Sequence, residues 1–223
     1  MQQLNYCAFF DVDGTLLRTN SMFSFLKFYF EKISRFRWIG TLKFYCYRRY
    51  VKHLEKINVA RELLNRQYYQ LFQNEKLDVL RSIGCEWFKK LHASTEIYFN
   101  KTLLELRSHQ KKGATIVLVS GSFAECLQPL ADILNIKHIL ATRLEVNNGY
   151  CTGNILSPQT IGQGKVEAIK QFLLERNIDA NHCHAYGDHI SDLAMLETVG
   201  YPHVVAVDPA LKQVALARSW PTL

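Results

Sequence analysis

Four short apolar stretches of this chain stop at polar, chemically reactive residues, and this repetition narrows the fold more than any other feature. Residues 4 to 10 run into Asp11-Val-Asp-Gly-Thr, residues 114 to 119 into Ser120-Gly121-Ser122, residues 182 to 186 into Gly187-Asp188, and residues 204 to 207 into Asp208-Pro209. The second stretch, Ala-Thr-Ile-Val-Leu-Val, is continuously apolar, as a strand buried on both faces must be. Helical patterns lie between the stretches, from Ser122 to about Leu134, from Lys165 to Glu175 and from Ser191 to Val199. Strands alternating with helices predict an α/β fold, a Rossmann-like, mostly parallel sheet covered on both faces. Residues 139–146 and 150–156 flank Asn147-Asn148-Gly149 and add a β-hairpin.

The first stretch is separated from the second by about 80 residues of helical texture, far more than an α/β connection needs. Phe23, Leu26, Phe30 and Ile33 recur at helical spacing, as do Trp38, Leu42, Tyr45 and Arg49, and no proline occurs before Pro129. Three or four helices are expected, with breaks near Gly40, Asn58 and Gly84. The economical reading is an all-helical cap, residues 18–98, inserted after the first strand of a discontinuous core made of residues 1–17 and 99–223. The charge distribution agrees: residues 18 to 112 hold 20 Lys and Arg against 8 Asp and Glu, whereas the rest hold 7 against 12. The same segment carries 18 of the 27 aromatic residues, so the two regions present different surfaces.

With 48% hydrophobic and 21% charged residues the chain can build a full core and is not disordered at large. No window reaches 18 consecutive apolar residues and the N-terminus lacks a signal-peptide pattern, so a cytoplasmic location is expected. Cys7, Cys46, Cys85, Cys126, Cys151 and Cys183 show no paired spacing and read as small hydrophobes rather than a disulfide framework or zinc site.

In open parallel sheets the ligand lies beyond the C-terminal strand ends, where this sequence places Asp11, Asp13, Ser120, Gly121, Asp188 and Asp208, with Lys165 opening a helix and Asp192 four residues past Asp188. Carboxylates gathered in one crevice repel, and a divalent cation offsets this; an all-oxygen set suits magnesium. A lysine, a serine hydroxyl and backbone N–H groups supply what a phosphoryl group needs. Together they describe a phosphoryl-transfer site.

The segments Asp11-Val-Asp-Gly-Thr-Leu, Val119-Ser-Gly-Ser-Phe, Lys165 and Gly187-Asp-His-Ile-Ser-Asp, in that order and with a helical insert after the first, resemble the four motifs of the haloacid dehalogenase superfamily of phosphohydrolases. They are most similar to its subgroup IB, typified by phosphoserine phosphatase. The resemblance covers the core, about 140 residues, and hardly constrains the insert. It implies a magnesium-dependent phosphomonoester hydrolase with an aspartyl-phosphate intermediate. In that scheme Asp11 is the nucleophile and Asp13 protonates the leaving oxygen, then activates water. Asp11, Asp188 and the backbone carbonyl of Asp13 hold Mg2+, while Asp192 binds it through water or orients Lys165. Ser120, the Gly121 N–H and Lys165 bind phosphate, with Thr15 helping. The aspartate at position 13 disfavours the dehalogenating and ATP-transporting branches.

The serine-specific relative has an acid soon after its first motif, where this chain reads Arg18-Thr-Asn-Ser21 with no carboxylate before Glu31. That departure speaks against phosphoserine. The insert offers basic and aromatic residues instead, such as Arg48, Arg49 and Lys52 beside Tyr45, Tyr47 and Tyr50. Three readings stand: a solvated basic face, attraction of anionic substrates including a lipid headgroup with peripheral membrane contact, and nucleic-acid binding, the least favoured. The expected partner is a phosphorylated small molecule or a lipid headgroup, with phosphatidylglycerophosphate and amino-acid-type phosphatases as named alternatives. A non-catalytic protein on the same fold would be expected to have lost Asp11, Asp13 or Lys165. His182, His184 and His189 read as surface or packed residues rather than a metal set. Asp208 either supports the site loop or forms a turn before Pro209.

Overall fold

The computed structural model describes residues 5–93, 95–205 and 208–223. Its strands are β1 (Cys7–Asp11), β2 (Thr115–Phe123), β3 (His138–Asn147), β4 (Tyr150–Leu156), β5 (His184–Gly187) and β6 (Tyr201–Val204). They form one six-stranded sheet in the order β4-β3-β2-β1-β5-β6, parallel except for β4, which pairs antiparallel with β3. The hairpin turns at Asn148 and Gly149, both at positive φ, as a tight two-residue turn requires.

Nine α-helices surround the sheet among the described residues: α1 (Ser21–Ile33), α2 (Arg37–Lys56), α3 (Arg61–Gln70), α4 (Leu77–His92), α5 (Asn100–Lys111), α6 (Ala124–Leu134), α7 (Gln163–Leu174), α8 (Leu193–Leu196) and α9 (Pro209–Ala217). Side chains of β1 alternate between two apolar layers, as extended backbone dictates. Cys7 and Phe9 pack with Ile169 and Phe172 of α7, Met195 of α8 and Leu211 of α9. Ala8 and Phe10 face Leu106 of α5 and Leu127 and Leu130 of α6, in a layer that continues into α1, α3 and α4 through Phe25, Tyr68, Phe72 and Trp87. Phe9, Phe10, Phe25 and Phe72 are fully buried, each worth about 2 to 3 kcal/mol of transfer free energy.

Four helices fill residues 21–92, but the expected breaks at Gly40 and Gly84 do not occur: both glycines lie inside helices. Their role is close approach. A Cβ on Gly40 would stand 2.2 Å from the Phe30 carbonyl oxygen, where α2 crosses α1. One on Gly84 would stand 2.5 Å from the Glu125 carbonyl oxygen, the acceptor that Pro129, four residues on and lacking an N–H, cannot serve. Only Asn58, at φ 57 just beyond α2, ends a helix as expected.

Three further boundaries differ. His182 belongs to a one-turn 3-10 helix, Ala180–His182, so the strand begins at His184. The helix expected over 191–199 is a 3-10 turn, Ile190–Asp192, followed by the short α8. The last strand is Tyr201–Val204 rather than 204–207, and residues 206 and 207 lie outside the described residues. Pro202 fits there because β6 is an edge strand. No helix of the described residues is long and apolar enough to cross a membrane.

Candidate active site

Register brings the strand ends together. Asp11 pairs with Val119, placing Ser120 one residue beyond, and Phe10 pairs with Tyr186, placing Asp188 just past the end of β5. Gly14 then turns the chain back at φ +89, and a Cβ there would lie 2.2 Å from Asp188 Oδ2, so only glycine permits this approach. The resulting cleft, of about 330 Å³, is lined by Asp11, Asp13, Ser120, Gly121, Lys165, Asp188 and Asp192 on the sheet side.

Lys165, on the first turn of α7 and buried, lies 2.5 Å from Asp11 Oδ1 and 2.7 Å from Asp192 Oδ1. Burial alone would depress its ammonium, but Asp11 and Asp192 outweigh that and raise its pKa. Burial, joined by the like charges of Asp192 and Asp188, lifts the Asp11 carboxyl well above the ordinary range against the pull of Lys165. Burial also raises Asp188, with a Thr15 hydrogen bond opposing it. Asp11, Asp188 and Asp192 each offer an oxygen within 4.8 Å of the others. Three buried carboxylates against one ammonium leave an excess of negative charge, and an all-oxygen set of this kind fits a small hard divalent cation.

Asp13 is oriented differently. Its two carboxylate oxygens accept from the Ser21 N–H and the Ser21 hydroxyl, each at 2.9 Å, at the N-terminus of α1. Burial lifts this carboxyl to about 6, with the Ser21 hydrogen bonds restraining it. Its side chain is therefore not part of the carboxylate cluster, and only its backbone carbonyl is left for the metal role expected of it.

Thr15 requires a correction. It is fully buried and donates from Oγ1 to Asp188 Oδ1 at 2.8 Å, so it aims a carboxylate and does not face the cleft as a phosphate ligand. Ser120 Oγ accepts from the Ser122 N–H at 3.1 Å, leaving the Ser120 O–H to donate into the cleft. The Gly121 carbonyl accepts from Tyr69 Oη at 2.6 Å and from Asn65 and Thr142 at 3.1 Å each. These donors fix the Ser120-Gly121-Ser122 backbone from outside the strand.

The histidines do not converge. His182 is exposed beside Asp179, and His184 packs against His203 away from the cleft. His189 does line the cleft, its Nδ1 accepting from Ser191 N–H and lying 3.0 Å from Arg61 Nη1. Asp208 supports the site loop, one of its two expected parts, through the Ile190 N–H at 2.7 Å, and in place of a turn before Pro209 it caps α9 through the Ala210 N–H at 2.9 Å.

Residues that sequence reasoning missed come from the helices opposite the strand ends. Met22, Val51, Glu55, Arg61 and Tyr68 form much of the far wall, beside Tyr47, which the sequence had already offered among the aromatic residues of the insert. Arg61 Nη1 also donates to Ser191 Oγ at 2.8 Å, tying α3 to the loop after β5. Helical spacing was the available signal for a shared face: Tyr47, Val51 and Glu55 recur at four residues on α2, and Arg61, Asn65 and Tyr68 at four and three on α3.

The sequence profile of haloacid dehalogenase-like hydrolases matches residues 8–197. The chain is 30% identical to an inhibition of morphological differentiation protein of Streptomyces azureus, over 97% of this chain and 77% of that protein. It is also 30% identical to a phosphoserine phosphatase of Streptococcus thermophilus, over 62% of this chain and 64% of that enzyme. A solved protein of unknown function from Bordetella pertussis Tohama I superposes with a TM-score of 0.87 at 21% identity, covering 99% of this chain and 98% of the other, a likeness of fold. The profile match, spanning the strand ends just described, makes this chain an enzyme of the haloacid dehalogenase-like hydrolase family, in the branch that includes phosphatases.

Proposed function

We propose that the protein hydrolyses a small phosphomonoester through a phosphorylated Asp11. The observation that carries this reading is the buried set Asp11, Lys165, Asp188 and Asp192 at adjoining strand ends, with the Asp13 carboxyl poised a short distance along the same loop. Asp11 attacks phosphorus as the leaving oxygen departs, and Asp13 gives that oxygen its proton. Asp13 then takes a proton from the water that cleaves the acyl phosphate, so one group serves both halves of the reaction. Its elevated pKa, about 6, keeps proton transfer in both directions accessible near neutrality.

Lys165, the Ser120 hydroxyl and the Gly121 N–H hold the phosphoryl oxygens. Asp11, Asp188 and the Asp13 carbonyl would hold magnesium, with Asp192 reached through water while it also positions Lys165. The metal's contribution when bound is to neutralise charge on the phosphoryl oxygens. Residues 18–98 act as a cap over a core of residues 1–17 and 99–223. The cap supplies the far wall of the cleft and excludes water. Glu55 and Arg61 put both signs of charge on that wall, which suits a substrate with polar groups besides its phosphate. The six cysteines are free, which fits the cytoplasm as the working compartment.

The test is hydrolysis of p-nitrophenyl phosphate with magnesium and after chelation. A set of phosphomonoesters follows: phosphoserine, a nucleoside monophosphate and a short-chain phosphatidylglycerophosphate. Full activity in metal-free protein, or phosphate trapped on a residue other than Asp11, overturns the mechanism.

A further inference from the structure

The outer face of α2 carries an exposed stripe whose two halves differ in chemistry. Trp38, Leu42, Tyr45, Arg49, Lys52 and Lys56 follow one another at intervals of three or four residues, so they lie on one side of the helix. All are exposed; Trp38, Leu42 and Tyr45 retain 66%, 55% and 58% of their surface. Ile33 and Phe36, at the turn between α1 and α2, extend the apolar end and are also about half exposed. The opposite side of the helix is committed elsewhere: Gly40 and Val51 are buried, and Tyr47, Val51 and Glu55 face the cleft.

Charge around the stripe is mostly of one sign: Lys32 and Arg37 are paired with Glu86 and Glu31, whereas Lys43, Arg48, Arg49, Lys52 and Lys56 belong to no ion pair among the described residues. Between Glu31 and Glu55 the chain has seven Lys and Arg and no acid. Arg48, Arg49, Lys52, His53 and Lys56 line a recess on this side of the helix. The Arg48 guanidinium lies 3.7 Å from the centroid of the Phe23 ring, and its buried Nη1 makes no hydrogen bond within the protein. A buried guanidinium N–H without an acceptor is costly unless an anion meets it.

We propose that this face docks on an anionic lipid surface, with Ile33, Phe36, Trp38 and Leu42 entering the interface and the basic half of α2 and its recess meeting phosphate headgroups. An amphipathic helix with aromatic and aliphatic residues at one end and cations along the rest matches the boundary between acyl chains and an anionic headgroup layer. A second copy of this chain is the poorer occupant, because a self-complementary contact would press two predominantly basic helix faces together. A nucleic acid would meet the cations but has no hydrocarbon layer for Ile33 and Leu42. Because no described helix can span a bilayer, the contact is peripheral. Since α2 also walls the cleft, docking would hold the cleft about one helix diameter, roughly 10 Å, from the lipid plane. The inference rests on this surface and stands whether or not the hydrolase reading does.

The experiment is co-sedimentation of the full chain with vesicles of phosphatidylcholine alone and with about one third phosphatidylglycerol, at low and high salt. It is paired with quenching of tryptophan fluorescence by brominated lipid. Binding to the anionic vesicles only, weakened by salt, with quenching lost in W38F, is the expected result. Replacing Arg49, Lys52 and Lys56 with Ser should weaken partitioning on the order of 100-fold, and L42S with W38S should lower it further. Circular dichroism and hydrolysis of a soluble phosphomonoester should remain as in the unaltered protein. Equal binding by the triple variant, or absence of quenching at Trp38, overturns the proposal. So does a dimer in sedimentation that W38S dissolves without any vesicle binding. Tighter binding to a short single-stranded RNA than to anionic vesicles would assign the face to nucleic acid and overturn it as well.

Discussion

Thr15 Oγ1 donates a 2.8 Å hydrogen bond to Asp188 Oδ1, joining the loop after β1 to the end of β5. Because Thr15 is fully buried, this bond is placed to fix the direction of the Asp188 carboxylate. T15V keeps the volume and removes the donor. Magnesium affinity, measured by calorimetry, should fall about 10 to 100-fold, as for other groups that orient metal ligands. Turnover at saturating magnesium should change much less, and T15S should recover the affinity. Unchanged binding in T15V would show the bond to be idle.

Lys165 pairs with two of the buried carboxylates, Asp11 and Asp192, at once. K165M should abolish turnover and also destabilise the metal-free fold by about 3 to 5 kcal/mol, since breaking a buried pair strands the partner charge. Urea unfolding with and without magnesium separates the effects: added magnesium should stabilise the variant more than the native protein. An equally stable metal-free variant would contradict this electrostatic picture.

Asp11 and Asp13 stand two residues apart yet are held in different ways, one by Lys165 and the other by Ser21. D11N should leave no detectable turnover. D13N should slow it about 100 to 10,000-fold and accumulate phosphorylated enzyme with a good leaving group, because the second step loses its base. Quenched-flow trapping of phosphoenzyme reads this directly. A D13N enzyme with near-native kcat would remove Asp13 from the acid–base role.

The polar loops at Asp11, Ser120 and Asp188 were legible because each interrupts an apolar run and they recur together; any one alone could be a plain helix cap or turn former. Thr15 was misread since a loop threonine beside glycine can turn toward either the cleft or the core, and only Asp188, 173 residues on, decides it. Gly40 and Gly84 were taken for helix breakers because their second use, letting two backbones touch, depends on which helix lies opposite. Pro202 concealed an edge strand, and the far wall of the cleft was invisible for the same reason as Thr15. Asn65 and Tyr69 reach Gly121, and Arg61 reaches Ser191, only through tertiary packing.

Arg61 bridges Ser191 Oγ at 2.8 Å and His189 Nδ1 at 3.0 Å, so it fastens the helical wall to the sheet-side loop. R61A should raise KM about 10-fold or more by loosening the closed geometry. Amide exchange in residues 189–191 should quicken in the same variant. A rise in KM with unaltered exchange would mean that Arg61 acts on substrate and not as a latch.

A polar cluster beside β5 contributes to the acid response of the fold. His109 is buried between two phenols, its Nδ1 3.0 Å from Tyr6 Oη and its Nε2 2.9 Å from Tyr186 Oη, and His184 Nδ1 lies 3.0 Å from His203 Nε2. Burial, reinforced for His109 and His184 by neighbouring histidines and Lys112 and opposed at His184 by Glu105, lowers all three pKa values to about 4. The unfolded chain protonates its histidines near 6.5, so between about 6.5 and 4 it binds more protons than the folded one. Stability from this cluster is therefore full above about pH 6.5 and declines as pH falls, by up to about 1.4 kcal/mol per pH unit for each histidine. Asp13 acts in the opposite sense: its folded pKa is raised to about 6, so its contribution is present at low pH and is lost as pH rises through that value. Urea unfolding from pH 8 to pH 5 in native protein, H109Q and D13N separates the two. H109Q retains a donor and an acceptor for the phenols but cannot titrate, so its stability should fall less steeply toward acid than the native protein's. D13N should steepen the fall, and an H109Q curve parallel to the native one would rule out His109 as a source of the acid sensitivity.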